Sequence, residues 1–123
     1  MKIGEVTPNK EAIVKIDLIS FDGHKREVVA VLDTGFTEYL TLPPTIITDL
    51  GLQYQYSIPM ILADGSSIAV RVFDAIVIWA DIKRSIPVQE TLGDVLLGMS
   101  MIYGFRLNVD ALDGGAVTIT QIS

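Results

Sequence analysis

One short stretch constrains this chain most. A run of apolar residues ends in an acid, a hydroxyl and a glycine, Val28-Val29-Ala30-Val31-Leu32-Asp33-Thr34-Gly35. Such a run predicts a buried strand. A charge is costly inside a core, so Asp33 should mark the strand's end, where a turn holds its carboxylate at the bottom of a cleft. The simpler alternative is that Asp33 and Gly35 only form a strand-ending turn.

Length and composition limit the domain count and the classes of partner. The chain has 123 residues, which predicts a single domain over residues 1–123. Its net charge of -6, without a cluster of Lys or Arg, argues against nucleic acid as a partner. No window approaches the ~18 to 20 apolar residues of a membrane helix, and Met1-Lys2-Ile3-Gly4-Glu5 does not resemble a signal peptide.

The cysteine and histidine content limits the kinds of metal site and catalytic site that the chain can form. The chain has no cysteine, which excludes thiolate metal sites and predicts a cytoplasmic protein. A single histidine, His24, argues against a multi-His metal site or a His-dependent triad. Among the usual kinds of hydrolase chemistry, catalysis by carboxylates remains.

The apolar pattern predicts an all-β domain. Residues 12–21 alternate in the manner of a strand, and Asp22-Gly23 is a two-residue hairpin signal. Pro43-Pro44 opens a short helix that Gly51 closes. We count eight or nine short strands and one or two short helices, which favours a barrel-like arrangement. The further predicted strands are Lys2–Val6, Lys25–Leu32, Tyr39–Leu42, Gln53–Ala63, Ile68–Ala80, Ile86–Glu90, Phe105–Val109 and Ala116–Ile122.

Three features, in this order and at this spacing, resemble the retropepsin-like aspartic proteases, in particular their bacterial and archaeal members. The first is Val31-Leu32-Asp33-Thr34-Gly35. The second is a hairpin from Met60 to Val70 with Asp64-Gly65-Ser66 at its tip, where the family has its flap. The third is Leu96-Leu97-Gly98-Met99 and the short helix after it. The resemblance runs from Ala12 to Ile122 and implies a retropepsin-like closed barrel.

The resemblance implies an aspartic endopeptidase that works as a homodimer without metal or cofactor. Asp33 from each subunit would meet across a two-fold axis and share one proton, so that the pair activates a water. Thr34 would hydrogen-bond to the other subunit and brace the two loops. Gly35 would let the backbone lie close to the carboxylates and the substrate.

The resemblance also implies a substrate-binding set. A peptide would lie extended between the floor and a mobile flap. The expected binding residues are Phe36, Thr37, Ile61, Leu62, Ala63, Asp64, Gly65 and Ser66.

One departure from the family pattern leaves alternatives open. The family usually has Ser or Ala after Asp-Thr-Gly, whereas this chain has Phe36 and then Thr37. Thr37 could supply the orienting hydroxyl if the loop is one residue longer; otherwise the carboxylate lacks one. Phe36 could line the substrate pocket or the dimer interface, or it could be a core residue.

Two other functions therefore stay beside the peptidase. The first is a catalytically inactive protein of the same fold that binds a peptide or serves as a dimerisation module. The second is a structural barrel domain with no cleft.

Overall fold

A computed structural model describes residues 1–123. The chain is mostly β, with two short helices, as the sequence predicts. The strands are β1 (Lys2–Val6), β2 (Ala12–Ile19), β3 (Lys25–Leu32), β4 (Leu40–Leu42), β5 (Gln53–Ile61), β6 (Ser67–Trp79), β7 (Ile82–Glu90), β8 (Leu96–Leu97), β9 (Phe105–Val109) and β10 (Ala116–Gln121). The helices are α1 (Pro44–Leu50) and α2 (Met99–Ile102).

All ten strands join one sheet in the order β5-β6-β7-β4-β8-β3-β2-β1-β10-β9. The pairings β3–β8 and β4–β7 are parallel, and the remaining pairings are antiparallel. A further pairing between β2 and β6 connects the sheet back on itself. Since β5 lies at one end of the order, its Pro59 needs no ladder partner on the outer side.

The core is a single cluster of 21 buried residues. Strand β2 shows how the sequence builds it, because Val14, Ile16 and Leu18 are 0–2 % exposed while Lys15 between them is exposed. This is the period of two that the sequence predicts for a half-buried strand. Each such side chain contributes roughly 1.5–3 kcal/mol on burial.

Helix α1 begins and ends where its sequence signals lie. Pro44 occupies the first turn, where a missing N–H costs nothing. Gly51 adopts a left-handed conformation with φ 64°, and its N–H bonds to the carbonyls of Ile47 and Thr48. Neither helix, at seven and four residues, has the length and apolar character required to cross a membrane.

The first hairpin differs from the two-residue turn expected from Asp22-Gly23. The Ser20 N–H bonds to the His24 carbonyl at 2.8 Å, so the loop has three residues and Gly23 lies in the left-handed region with φ 88°. Three-residue loops of this kind place a glycine after a type I turn. The Asp-Gly signal therefore marks the hairpin correctly but not its length.

Strand β7 starts earlier than predicted, at Ile82 rather than Ile86. Trp79 pairs with Ile82, and the two residues between them, Ala80 and Asp81, have φ of 51° and 64°. This is the geometry of a type I′ hairpin turn. It lacks the Asn-Gly or Asp-Gly signal by which such a turn is recognised in a sequence.

Candidate active site

Asp33 stands at the point where β3 leaves the sheet. Strand β8 pairs with β3 in parallel, and it places Leu96 beside Val31 and Leu97 beside Leu32. The Asp33 N–H continues this ladder by donating to the Leu97 carbonyl at 3.0 Å. The backbone of Asp33 is thus fixed by a strand, while its half-buried side chain lies beyond the end of β3.

The Asp33 carboxylate accepts one hydrogen bond within the chain, from the Gly35 N–H to Oδ1 at 2.9 Å. The Phe36 N–H donates to the Asp33 carbonyl at 3.1 Å and closes the turn. A Cβ at Gly35 would lie 3.2 Å from Oδ1. Glycine at this position therefore leaves the carboxylate uncrowded, and no cation pairs with it.

The hydroxyl groups of this loop do not orient Asp33 within one chain. Thr34 is exposed, and its hydroxyl has no hydrogen-bond partner within the chain. Thr37 is also exposed, and its hydroxyl donates no hydrogen bond to the Asp33 carboxylate. The carboxylate is oriented by backbone alone.

The residues after β8 hold the rest of the loop. The N–H groups of Gly98 and Met99 donate to the carbonyls of Tyr39 and Phe36 at 3.0 and 2.8 Å. Ser100 donates its N–H to the Glu38 carbonyl at 3.3 Å and its hydroxyl to the carbonyl of Thr37. All four carbonyls of residues 36–39 therefore accept a bond from residues 98–100.

Gly98 makes this contact sterically possible. A Cβ at Gly98 would lie 2.2 Å from the Glu38 carbonyl oxygen and 2.6 Å from that of Phe36. The apolar-apolar-Gly signal in the sequence thus marks a close approach of two backbones. The role of Ser100 was not foreseen, because the sequence gives no sign of which carbonyl its hydroxyl meets.

Thr41 is a second residue that sequence reasoning missed. It is 7 % exposed, and its hydroxyl donates to the Asp94 carbonyl at 2.9 Å and accepts from the Leu96 N–H at 2.8 Å. These bonds join β4 to the segment that supports Asp33. The signal that was available is a threonine between two leucines in a short apolar strand.

A groove of about 620 Å³ lies next to this loop. The flap strands, β7 and the segment before β8 contribute to it, and Phe36 connects it to the turn that carries Asp33. Asp33 itself does not line it. The lining residues are Phe36, Thr41, Met60, Ile68, Ala69, Val70, Arg71, Gln89, Glu90, Thr91, Leu92, Gly93 and Leu96.

The flap tip stands away from this groove. Of the eight expected binding residues only Phe36 lines it; Thr37 and residues 61–66 do not. Its flap side is formed instead by Met60 and residues 68–71, on the strands that lead to and from the tip. Exposed apolar side chains remain on the tip, with Ile61 79 % exposed.

The flap tip is a three-residue loop, like the first hairpin. The Leu62 N–H bonds to the Ser66 carbonyl at 2.8 Å, and Gly65 has φ 85°. The carboxylate of Asp64 accepts from the Ser66 hydroxyl at 2.5 Å and from its N–H at 2.9 Å. The Ser66 hydroxyl, and then its N–H, lower the pKa of Asp64, so this side chain shapes the turn as an anion.

Comparison with known proteins gives one kind of match. No protein-family model matches the chain, and no curated protein matches its sequence. The fold is similar to the crystal structure of a retropepsin-like aspartic protease from Rickettsia conorii, with a TM-score of 0.62 and 15% sequence identity. The alignment covers 100% of this chain and 91% of that one. At this identity the match establishes the fold, and the expected retropepsin-like all-β class is confirmed.

Proposed function

Starting from a chain with a retropepsin-like fold, we propose that it is a homodimeric aspartic endopeptidase. The observation that supports this most is the state of Asp33. Its carboxylate lies beyond the end of a fixed strand, accepts a single backbone hydrogen bond and pairs with no cation. A carboxylate that served only to brace its own turn would not need the support that residues 97–100 give to this loop.

The proposed chemistry needs two carboxylates, and one chain supplies one. Two Asp33 side chains that meet across a two-fold axis cannot both ionise readily, so they share a proton. The ionised member takes a proton from water as the water attacks the peptide carbonyl. The protonated member polarises that carbonyl, and a proton then passes to the leaving nitrogen.

Other parts of the loop have roles in this dimer. Because the Thr34 hydroxyl has no partner in its own subunit and faces solvent, it is free to bond across the two-fold axis. Gly35 leaves room above the carboxylate for the second loop and for a substrate backbone. The exposed apolar flap tip is suited to closing over a bound peptide and excluding water. A cytoplasmic location, expected from the lack of cysteine, completes the proposal.

One observation favours a second candidate function. No side-chain hydroxyl of the chain bonds to the Asp33 carboxylate, which is the second of the two alternatives that the sequence leaves open for Thr37. A protein of this fold that binds a peptide without cleaving it would need no such orientation. In that case Asp33 would shape the turn, and the groove would remain a binding site.

Cleavage of a mixed peptide library at acid pH separates the two candidates. Wild-type protein should cleave, and Asp33→Asn should lose at least ~10³-fold in rate, because an amide cannot act as the base. Asp94→Asn is the matched control, since Asp94 is exposed, lies near the same loop and makes no side-chain bond. Equal cleavage by wild type and Asp33→Asn would refute the mechanism, and peptide binding without cleavage would favour the second candidate.

A further inference from the structure

A charged pair lies at one end of the groove that adjoins the Asp33 loop. Arg71 on β6 and Glu90 on β7 each lie one residue beyond the Val72–Gln89 pair, where the β6–β7 ladder ends. Their contact is bidentate, with Nε to Oε1 at 3.0 Å and Nη2 to Oε2 at 2.5 Å. Among the residues that line the groove, Arg71 is the one cation and Glu90 the one anion.

The two members of this pair are not equally open to a ligand. The Arg71 side chain is 54% exposed, whereas that of Glu90 is 18% exposed. Both carboxylate oxygens of Glu90 are already engaged. Arg71 uses two of the five N–H groups of a guanidinium, so three remain free. A ligand in the groove therefore meets unused donors of the cation before it meets the anion.

The guanidinium is also held in place before any ligand arrives. Glu90 fixes one edge, and the Arg71 Cζ lies 5.4 Å from the centre of the Phe73 ring. Hydrogen bonding by the Glu90 carboxylate raises the pKa of Arg71. A fixed planar donor that stays charged is suited to binding a carboxylate.

An amide in the lining is also available to a ligand. Gln89 lines the groove, is 9% exposed and makes no side-chain hydrogen bond within the chain. The amide offers both a donor and an acceptor to a peptide that enters the groove.

Apart from two threonines, Thr41 and Thr91, the rest of the lining is apolar or glycine. Phe36, Met60, Ile68, Val70 and Leu96 surround the space, and Leu92 is 94% exposed at its rim. This composition suits an apolar side chain with a polar neighbour.

We propose that Arg71 determines specificity in this groove by binding an acidic side chain of an extended peptide whose neighbouring residue is apolar. The inference rests on the proposed function in that the ligand is a peptide. Any preference for an acidic side chain must come from Arg71 itself, because the chain as a whole carries a charge of -6 and repels acidic peptides. Glu90 orients Arg71 and at the same time competes with the incoming carboxylate.

That competition makes the proposal testable, because the two partners should act in opposite directions. Peptides that are identical except for Glu, Gln or Lys beside an apolar residue are bound to the Asp33→Asn variant, which cannot consume them, and binding is followed by fluorescence anisotropy. The Glu peptide should bind about ten-fold more tightly than the Gln peptide. Adding Arg71→Gln should reduce this ratio to about one. Adding Glu90→Gln should increase it.

A matched control and a folding check complete the experiment. Arg26→Gln removes another exposed arginine that pairs with an acid, Asp49 at 3.1 Å, away from the groove, and should leave the ratio unchanged. If the Arg71–Glu90 pair only braces the flap, the two substitutions will shift the ratio in the same direction or not at all, and the proposal fails. Thermal melts of each variant show that any change in the ratio comes from folded protein.

The outcome also distinguishes this proposal from the proposed function. Selective binding of the Glu peptide without cleavage by wild type contradicts the peptidase and leaves the role of Arg71 intact. Cleavage by wild type that is indifferent to Glu, Gln and Lys contradicts the role of Arg71 and leaves the peptidase intact.

Discussion

Two Asp-Gly hairpins of this protein, β2–β3 and β5–β6, have nearly the same turn but different surroundings. In both, a backbone bond of 2.8 Å closes a three-residue loop whose glycine has φ near 85–88°. The β2–β3 loop is anchored, because the Phe21 N–H donates to the Leu50 carbonyl at 2.9 Å and its ring lies against Gly51. Every hydrogen bond of the flap tip, residues 62–66, is made within that segment.

Turn chemistry therefore sets the shape of both loops, and tertiary contact decides which of them can move. The Asp33 loop is the more strongly anchored, since residues 98–100 donate a hydrogen bond to every carbonyl from 36 to 39. A peptidase needs this contrast, because its carboxylates must stay in place while its flap opens.

The largest effect should come from loosening the anchored Asp33 loop. Gly98→Ala places a Cβ 2.2 Å from the Glu38 carbonyl oxygen, so two backbones must separate. We expect a loss of about 3 kcal/mol or more in the free energy of unfolding, measured by chemical denaturation. Gly93→Ala is the control, because its Cβ would be 3.5 Å from the nearest atom, Thr91 Oγ1. Equal stability of the two variants would contradict the close contact.

Amide hydrogen exchange should be faster in the flap tip than in the anchored β2–β3 loop. The Ser20 and Leu62 amides make backbone bonds of the same length, 2.8 Å, in equivalent positions of the two loops. Because the flap tip opens without breaking tertiary contacts, the Leu62 amide should exchange about 100-fold faster than that of Ser20. Amide exchange followed by NMR tests this, and similar rates would show that the flap tip is as well anchored as the first hairpin.

Substituting the two loop glycines should separate stability from activity. An alanine held in the left-handed region is strained by roughly 1–2 kcal/mol. Gly23→Ala should therefore lower the free energy of global unfolding by about 1 kcal/mol. Gly65→Ala should lower the free energy of unfolding by less, since the flap tip can relax locally. It should lower kcat/KM more than Gly23→Ala does. Thermal melts and peptide cleavage are measured on both variants. A larger loss of stability in Gly65→Ala together with a larger loss of kcat/KM in Gly23→Ala would contradict this prediction.

The smallest effect concerns acid stability of the anchored loop. The Ser20 hydroxyl, and then His24, lower the pKa of Asp22 from 3.8 to about 2. Because the folded pKa lies below the unfolded one, this contribution is present above pH 3.8 and is lost as the pH falls toward 2. Asp22→Asn should therefore flatten the fall in Tm over this window. An unchanged slope would show that the hydrogen bonds to Asp22 contribute nothing to stability in acid.

Much of this fold was predictable from local signals. The period of two in β2, the proline and glycine at the ends of α1, and the apolar run into Asp33 each indicate the right element. The errors share a cause. The Ala80-Asp81 turn lacks the Asn-Gly or Asp-Gly pair by which such turns are recognised, and the loop after Ile19 is held by the contact of Phe21 with the end of α1.

The candidate site was predictable in sequence order but not in three dimensions. Asp33 and Phe36 were identified because they belong to one short motif. Ser100, Thr41 and Arg71 were missed, since each acts on a residue at least 19 positions away, and only the sheet register brings them together. Polar residues in strands give no sign in the sequence of which partner they meet.

The central claim is that each subunit supplies half of the active site, and subunit mixing tests it most directly. Wild-type and Asp33→Asn chains are refolded together in equal amounts, and cleavage is compared with that of wild type at the same total concentration. Random pairing puts about one quarter of the dimers in the wild-type form, so activity should fall to about that fraction. A fall to about one half, as independent chains would give, would contradict the account.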